Sequence, residues 1–333
     1  MKAIFLCEKT TQIFSVYDQE TVKNLQGLTG IEKKIYSKAD VLREPALFAQ
    51  VEFVFSTWGM PEFSEDEIRQ CFPSLKCVFY GAGTVQKFAR PFLACGVKIF
   101  SAWAANAVPV AEMTVAQIIL SNKGYYLTSR LYHAQGRDAA RKAFAKCKGN
   151  YGETVGIIGA GMIGKLVIEM LKAYNLKVLV FDPFLSDDKA KALGVEKCDL
   201  QTLFERCFVV SNHLANNEQT QGMLNYVHFS RMRENAVFIN TGRGAQVVED
   251  DLVRILKERN DLTALLDVTY PEPPVENHPF YTLPNCFLTP HIAGSAGDEV
   301  ARMGKYMLDE FDKYLSGKAT KYEVTEDMLE RMA

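Results

Sequence analysis

Short apolar runs alternate with stretches of helical spacing through the first hundred residues. Four of these runs have the length and composition of buried strands: KAIFLC (2–7), VEFVFS (51–56), CVFY (77–80) and VKIFSA (97–102). A helical stretch near 64–71 opens with Ser64 as a cap and carries acidic residues in its first turn, and both features stabilise a helix start. This alternation predicts an α/β domain with a parallel sheet.

A second series of six apolar runs follows in the middle of the chain. The runs lie at 154–159, 177–182, 208–213, 236–240, 262–268 and 286–292. Helical patterns fit between most of them, one beginning at Gly161 and another covering about 249–259. Six parallel strands joined by helices are what a doubly wound dinucleotide-binding sheet needs.

Two long helical patterns flank this second series, at 109–126 and 297–315. Each connects the second series to material outside it, so we predict that one domain is inserted into the other. The fold class is then α/β with two doubly wound domains. They are a discontinuous, flavodoxin-like domain of residues 1–103 plus 296–333 and an inserted Rossmann domain of residues 104–295. We expect the last segment, 316–333, to pack on the surface as a polar tail.

Length, composition and charge agree with a soluble protein of two domains. At about 150 residues per domain, 333 residues suggest two domains. The formal net charge of −2 gives no field of one sign that would attract nucleic acid or a membrane surface. The apolar runs are interrupted well before the roughly 18 residues of a membrane span.

The eight cysteines predict a reducing, cytoplasmic setting and no metal site. None forms a CxxC pair, and no His/Cys cluster has zinc-binding spacing. Most of them lie inside apolar runs, which is typical of buried reduced thiols.

A glycine motif indicates a dinucleotide site. Gly159, Gly161 and Gly164 form GAGMIG, which follows an apolar run and opens a helix with Met162 and Ile163. The first glycine permits a tight turn, the second lets a pyrophosphate approach the backbone, and the third lets the helix pack on the sheet. The helix N-terminus adds free N–H groups and a partial positive charge for the phosphates.

An acidic residue at the end of the next strand predicts NAD rather than NADP. Asp182 can accept hydrogen bonds from both ribose hydroxyls, and it would repel a 2′-phosphate. The residues that follow, PFLSDD, contain no Arg or Lys to hold such a phosphate. The alternative is that Asp182 only caps the following turn.

A nicotinamide dehydrogenase for an alcohol or carbonyl needs an acid/base for the oxygen and a cation for a substrate carboxylate. Histidine suits the first role because it titrates near neutrality, and arginine suits the second because its fork binds two oxygens at once. His291 and Arg243 lie just past predicted strand ends, where ligands bind in this fold. Glu272 follows another strand, and a carboxylate beside an imidazole holds one tautomer and favours the protonated ring. The alternatives are a surface ion pair for Arg243 and a plain loop acid for Glu272.

Four segments carry a family resemblance. They are VGIIGAGMIG (155–164), FINTGRGAQVVEDDL (238–252), LLDVTYPEPP (265–274) and LTPHIAGS (288–295). In this order and approximate spacing they resemble the D-isomer-specific 2-hydroxyacid dehydrogenase family. NAVPVAE (106–112) resembles the segment that opens the interdomain helix of that family, so the resemblance covers about 105–295.

The resemblance implies a hydride transfer between NAD(H) and a small D-2-hydroxy acid or 2-oxo acid. His291 would donate and accept the proton at the C2 oxygen. Glu272 would orient His291, and Arg243 would bind the substrate carboxylate and polarise the carbonyl. Members of the family are usually dimers, so the resemblance also implies a homodimer.

Further positions match cofactor contacts of the family. Asp267 matches the position that contacts the nicotinamide carboxamide. Thr241 and Gly242 lie where the chain passes the nicotinamide ribose. His213, at the end of its predicted strand, matches the loop near the adenine ribose and pyrophosphate.

The first domain matches the family less well. YGAGTV (80–85) resembles a turn whose backbone N–H groups, at Ala82 and Gly83, help bind the substrate carboxylate. STWG (56–59) occupies the place of another substrate-facing loop. Because these loops lack the basic residues expected for a phosphorylated substrate, we expect Trp58 to contact an uncharged or apolar group on C3.

Other functions of the same superfamily stay open. One is an NAD(H)-sensing, corepressor-like binding protein, which can keep the fold, the cofactor and even the triad. Another is a phosphite-type dehydrogenase, which the core motifs do not exclude. Formate dehydrogenases carry Gln beside the histidine, so Glu272 argues against that activity.

Overall fold

The computed structural model of the chain describes residues 1–8 and 10–329. The strands are β1 (Ala3–Leu6), β2 (Ile35–Tyr36), β3 (Phe53–Ser56), β4 (Cys77–Tyr80), β5 (Lys98–Ser101), β6 (Tyr151–Ile158), β7 (Asn175–Phe181), β8 (Glu196–Lys197), β9 (Val209–Asn212), β10 (Val237–Asn240), β11 (Thr263–Leu266), β12 (Cys286–Leu288) and β13 (Glu323–Val324). The helices are α1 (Thr10–Val16), α2 (Gln19–Thr29), α3 (Lys38–Arg43), α4 (Glu65–Cys71), α5 (Ala89–Ala94), α6 (Trp103–Asn122), α7 (Tyr125–Gln135), α8 (Arg137–Phe144), α9 (Met162–Leu171), α10 (Asp187–Leu193), α11 (Leu200–Arg206), α12 (Tyr226–Phe229), α13 (Glu249–Glu258), α14 (Ala301–Leu315) and α15 (Glu326–Leu329).

The chain divides into two compact units. The first unit is Met1–Asn106 with Ser295–Ala333, and the second unit is Ala107–Gly294. The first change of unit falls inside α6, which begins at Trp103. A continuous helix shows no break in its apolar spacing, so the sequence pattern carries no signal for this border.

The first unit is built on a six-stranded sheet of order β13-β5-β4-β3-β1-β2. From β2 to β5 the neighbouring strands are parallel and follow the flavodoxin-like order, as predicted. The parallel register places Phe55, Phe79 and Phe100 side by side. Their rings stack with centroids 5.2 Å and 4.8 Å apart, and Phe311 of α14 packs edge-on against the first two. The stacked rings bind the sheet to the helix that returns at the end of the chain.

The C-terminal segment differs from its prediction as a surface tail. β13 pairs antiparallel with β5, and Val324 and Leu329 are buried in the core of the first unit. Two residues are too few to show a strand period, and the edge of β5 supplies the backbone groups that β13 needs.

The predicted start of the long middle helix was also wrong. α6 begins at Trp103, and Pro109 lies inside it instead of at its first turn. Its length and composition would suffice for a membrane span, although 56% of its most apolar window is buried inside the protein. A core helix has the same properties, and the apolar run is longer than the sequence pattern suggested.

The second unit is a parallel sheet of order β12-β11-β10-β9-β6-β7-β8. All six predicted strands are present, and the order from β8 to β12 is that of a Rossmann fold with one further strand. The prediction missed β8, again a strand of two residues. The strand order reverses between β6 and β9, and ligands bind this type of sheet at the carboxyl ends of the strands around that point. The α/β prediction with two doubly wound domains is therefore confirmed.

Candidate active site

The glycine loop after β6 has three glycines with three different surroundings. Gly159 has φ +90°, and a Cβ there would lie 2.7 Å from the carbonyl oxygen of His213. A Cβ on Gly164 would lie 2.0 Å from the carbonyl oxygen of Gly159. Gly161 caps α9, and a Cβ on it would meet no atom within 4 Å. Open space in front of the N-terminus of a ten-residue helix fits the pyrophosphate of a dinucleotide.

The first two residues of α9 lie beside this open space. Met162 is exposed, and Ile163 packs against the core of the second unit. We expect the free backbone N–H groups of this first turn to face the phosphates of the cofactor.

Asp182 connects the glycine loop with the turn after β7. Its Oδ2 accepts a hydrogen bond from Ala160 N at 2.7 Å, and its Oδ1 accepts from Phe184 N and Leu185 N at 2.8 Å and 3.1 Å. Asp182 therefore caps the turn after β7, as the alternative interpretation of this residue states. A carboxylate has about four acceptor positions, so capacity remains for a ribose hydroxyl.

His291 and Glu272 lie together at the carboxyl edge of the second sheet. His291 Nδ1 is 2.7 Å from Glu272 Oε1. Because an ionised carboxylate only accepts, Nδ1 carries the proton and Nε2 is left for a ligand. The two side chains are 46% and 41% exposed, which leaves both within reach of a small molecule. The pair has the geometry of a general acid/base with an orienting carboxylate.

The turn that carries His291 is held by a buried carboxylate. Asp267 accepts hydrogen bonds from Thr289 Oγ1, Ile292 N and Ala293 N at 2.6, 2.8 and 2.9 Å. Its own carbonyl oxygen accepts from His291 N at 3.0 Å. His291 has φ +55°, a conformation that L residues rarely adopt. Asp267 supplies the bonds that hold it there.

Arg243 follows β10 and is partly buried. Burial lowers the pKa of Arg243, and the nearby charge of Glu272 acts in the opposite direction. Its Nη1 donates to the carbonyl oxygen of Gly242 at 2.8 Å, and it forms no ion pair with any described residue. This arrangement differs from a surface ion pair, and it leaves most of the guanidinium donors for a ligand.

Comparison with known proteins decides the family. Residues 116–293 match the model of the D-isomer specific 2-hydroxyacid dehydrogenase family, NAD binding domain. YoaD of Bacillus subtilis, which carries the name of a 2-hydroxyacid dehydrogenase, is 31% identical over 304 residues, covering 89% of this chain and 87% of that protein. The chain belongs to the D-isomer-specific 2-hydroxyacid dehydrogenase family. It is an NAD-dependent enzyme of this family.

Two further proteins are similar over different extents. A glyoxylate reductase of Korarchaeum cryptofilum is 32% identical over 179 residues, which is 54% of each chain. D-mandelate dehydrogenase of Rhodotorula graminis has a TM-score of 0.80 at 19% identity, covering 98% of both chains. The structural likeness shows the shared fold.

The sequence did not lead us to predict a buried cluster of side-chain amides in this dehydrogenase. Asn212 Nδ2 donates to Asn240 Oδ1 at 3.0 Å and to Gln246 Oε1 at 2.6 Å. Asn240 Oδ1 accepts from Gly242 N at 3.1 Å, and Gln246 Oε1 accepts from Arg243 N at 3.2 Å. The cluster thus shapes the turn that presents Arg243. The available signal was the position of Asn212 and Asn240 at the carboxyl ends of β9 and β10.

His213 lies deeper than a direct cofactor contact would suggest. Its Nε2 is 2.9 Å from Ser211 Oγ, and its Nδ1 is 3.5 Å from Thr241 Oγ1. Thr241 Oγ1 also lies 3.1 Å from Thr114 Oγ1. Burial lowers the pKa of His213 to about 3, so the ring is neutral at physiological pH. Its backbone, rather than its ring, packs against Gly159.

The predicted substrate residues of the dehydrogenase's first unit lie in two loops. Trp58 follows β3 and lines a cavity of about 560 Å³ with Gln12, Ser15 and Val16 and with residues 295–297 and 300. Among the residues that the structure describes, those that line this cavity carry no charged side chain. After β4, the carbonyl oxygens of Ala82 and Gly83 accept hydrogen bonds from Ser101 Oγ at 2.9 Å and 2.5 Å. The Ser101 hydroxyl thus fixes the turn whose N–H groups are predicted to bind substrate.

Proposed function

We propose that this enzyme interconverts a small D-2-hydroxy acid and its 2-oxo acid with NAD(H). His291 would act as the acid/base, Glu272 as its orienting partner and Arg243 as the anchor of the substrate carboxylate. The observation that carries the proposal is the 2.7 Å contact between His291 Nδ1 and Glu272 Oε1, in the same unit as the glycine loop. This pairing supplies a proton donor with a defined tautomer beside a sheet edge that is suited to a dinucleotide.

Each side chain has a physical task in the reduction of a 2-oxo acid. Arg243 would bind the carboxylate through two N–H groups, an attraction that its partial burial strengthens. His291 would donate the Nε2 proton to the C2 oxygen, and Glu272 would stabilise the protonated ring before that transfer. Bound NADH would supply the hydride for C2. The NAD contacts proposed for Asp182, the backbone of the His213 loop, Thr241, Gly242 and Asp267 belong to the same proposal.

The substrate is proposed to carry an uncharged or apolar group on C3. The cavity beside Trp58 contains apolar and neutral polar side chains, and such a wall favours an uncharged group. The D-mandelate dehydrogenase named above agrees with such a substrate, whereas other relatives are named D-3-phosphoglycerate dehydrogenases. We propose that Trp58 and the N–H groups of Ala82 and Gly83 contact the substrate.

NADH absorbance at 340 nm tests the proposal with purified protein and a panel of 2-oxo acids. The panel runs from glyoxylate, pyruvate and hydroxypyruvate to branched, aromatic and phosphorylated acids, with NADPH as a parallel control. We expect turnover with one group of acids and its loss in Arg243→Ala. No turnover across the panel, with NADH binding retained, would favour the sensor-like alternative.

A homodimer in the cytoplasm completes the proposal. Leu120 of α6 and Tyr125 and Tyr132 of α7 are exposed apolar or aromatic side chains on consecutive helices, and exposed apolar surface often marks an interface. Light scattering coupled to gel filtration tests the dimer, for which we expect about twice the chain mass of 37.4 kDa.

A further inference from the structure

Glu249 reaches both ends of the loop that carries Glu272. It is the first residue of α13, and its side chain is only 11% exposed. Its Oε1 accepts a hydrogen bond from Tyr270 N at 2.7 Å, and its Oε2 lies 3.7 Å from His278 Nε2. Residues 270–278, here called the 270–278 loop, span the two contacts, and Glu272 lies between them.

The hydrogen bonds to the middle of the 270–278 loop come from the two residues that flank nearby positions: Thr269 Oγ1 donates to Pro271 O at 3.0 Å, and the Tyr281 hydroxyl donates to Pro274 O at 3.2 Å. Tyr270 and Val275 are 63% and 55% exposed. Just before the loop, Gly244 packs so closely that a Cβ on it would lie 2.0 Å from the carbonyl carbon of Thr269. Just after it, Phe280 is buried. Between these fixed points, the Glu249 carboxyl ties the loop to α13, and Glu272 contacts His291.

Burying the Glu249 carboxyl costs free energy, and its position in the first turn of α13 does not require that burial. Burial raises the pKa of Glu249 to about 7, a net value that includes the lowering effect of the hydrogen bond from Tyr270 N and a smaller raising effect of Asp250. The other titratable groups that face it are His278 in the loop and the thiol of Cys286 on β12. An exposed acid at the first turn of α13 would stabilise the helix equally well. A buried one is explained by the hydrogen bond that it accepts from the loop.

We propose that Glu249 is a positioning residue for the reaction. It holds the 270–278 loop against α13 and thereby keeps Glu272 at hydrogen-bond distance from His291 Nδ1. Loss of the bond leaves Tyr270 N without its acceptor and frees the segment that carries Glu272. The catalytic part of this inference rests on the proposed function, whereas the anchoring of the loop does not.

Hydrogen–deuterium exchange of the full chain with NADH tests the anchor without any need for turnover. Glu249→Leu removes the acceptor, Glu249→Gln keeps a carbonyl oxygen for Tyr270 N, and Asp250→Leu changes the exposed neighbour as a matched control. We expect exchange in residues 269–281 to become about tenfold faster in Glu249→Leu, the effect of one lost buried hydrogen bond. Glu249→Gln and Asp250→Leu should exchange like the parent chain.

Unchanged exchange of residues 269–281 in Glu249→Leu would overturn the inference. If Glu249→Leu fails to fold, Glu249→Asp serves instead, because the shorter side chain withdraws the acceptor from Tyr270 N and keeps the carboxyl. Faster exchange confined to residues 269–281 would then support the inference. Exchange that is unchanged, or that is faster to the same degree across the whole chain, would contradict it.

A double-mutant cycle tests the catalytic part. We expect Glu249→Leu to lower kcat about tenfold and to move the alkaline limb of the pH profile in the same direction as Glu272→Ala. In the double variant the second change should add little, because Glu272 is no longer there to be positioned. Multiplicative losses would show that Glu249 does not act through Glu272. Absence of turnover in the parent chain would contradict the proposed function, while the exchange experiment would still decide the anchor.

Discussion

A Cβ on Gly164 would lie 2.0 Å from the carbonyl oxygen of Gly159, whereas a Cβ on Gly161 would meet nothing within 4 Å. The two glycines therefore respond differently to the same substitution. We expect Gly164→Ala to lower the free energy of unfolding by about 3 kcal/mol, because the backbone must shift. Gly161→Ala should leave that free energy within about 0.5 kcal/mol of the parent and weaken NADH binding about tenfold, or about 1.4 kcal/mol. Denaturant unfolding and NADH titration measure the two effects, and a stable Gly164→Ala protein would contradict the packing argument.

Asp267 links the His291 turn to β11 through three donors. In Asp267→Asn an amide N–H group replaces one acceptor and faces a donor, which costs about 1–3 kcal/mol. We expect a matching loss of thermal stability and a clear fall in kcat, because the His291 turn relaxes. Thr289→Val removes one donor only and serves as the milder control. Equal effects of the two variants on kcat would show that the backbone donors contribute nothing.

His291→Ala tests the acid/base directly. We expect kcat to fall by about 10²–10⁴-fold, the usual contribution of a positioned proton donor, with NADH affinity retained. His133→Ala, an exposed histidine in α7, is the matched control and should keep full activity. Near-normal turnover of His291→Ala would end the assignment.

Burial of His213 predicts an acid sensitivity with a definite sign. Its pKa is lowered from 6.5 to about 3 in the folded chain. Between these two values His213 is protonated in the unfolded chain and neutral in the folded chain, so acid favours unfolding. The contribution to stability is present above pH 6.5 and is lost as the pH falls toward 3. At pH 4 the loss is about 3 kcal/mol.

The matched variant for this effect is His213→Gln, whose side chain does not titrate. Urea unfolding at pH 7 and pH 4 should show a steeper loss of stability in the parent chain than in the variant. Parallel losses in the two proteins would mean that the buried ring does not determine the acid sensitivity.

Trp58 provides the test of substrate preference. If its ring contacts the C3 group, Trp58→Ala should lower kcat/KM most for 2-oxo acids with large apolar groups and least for glyoxylate, which has no C3. The difference should reach about 1–3 kcal/mol, as for an apolar group that loses its pocket. Relative kcat/KM values across the panel measure it, and an unchanged ranking would remove Trp58 from the substrate site.

The strands of both sheets were predictable from the sequence wherever a run was long enough to show its period. The exceptions are β2, β8 and β13, which have two residues each. Such strands exist because a neighbouring edge pairs with them, so no local pattern marks them. The glycine loop was predictable for the opposite reason, because its three glycines stand at a fixed spacing between an apolar run and the start of a helix.

The sequence by itself determined the family motifs, the α/β class and the residues offered for chemistry, since these depend on local periods and on residue type. The tertiary structure decided how those residues are held. Asn212 meets Gln246 across 34 positions, and Asp267 meets Ala293 across 26. Glu249 likewise meets Tyr270 across 21. Each of these bonds joins the ends of different strands or helices, and parallel strands bring such ends to one edge only when the whole sheet is assembled.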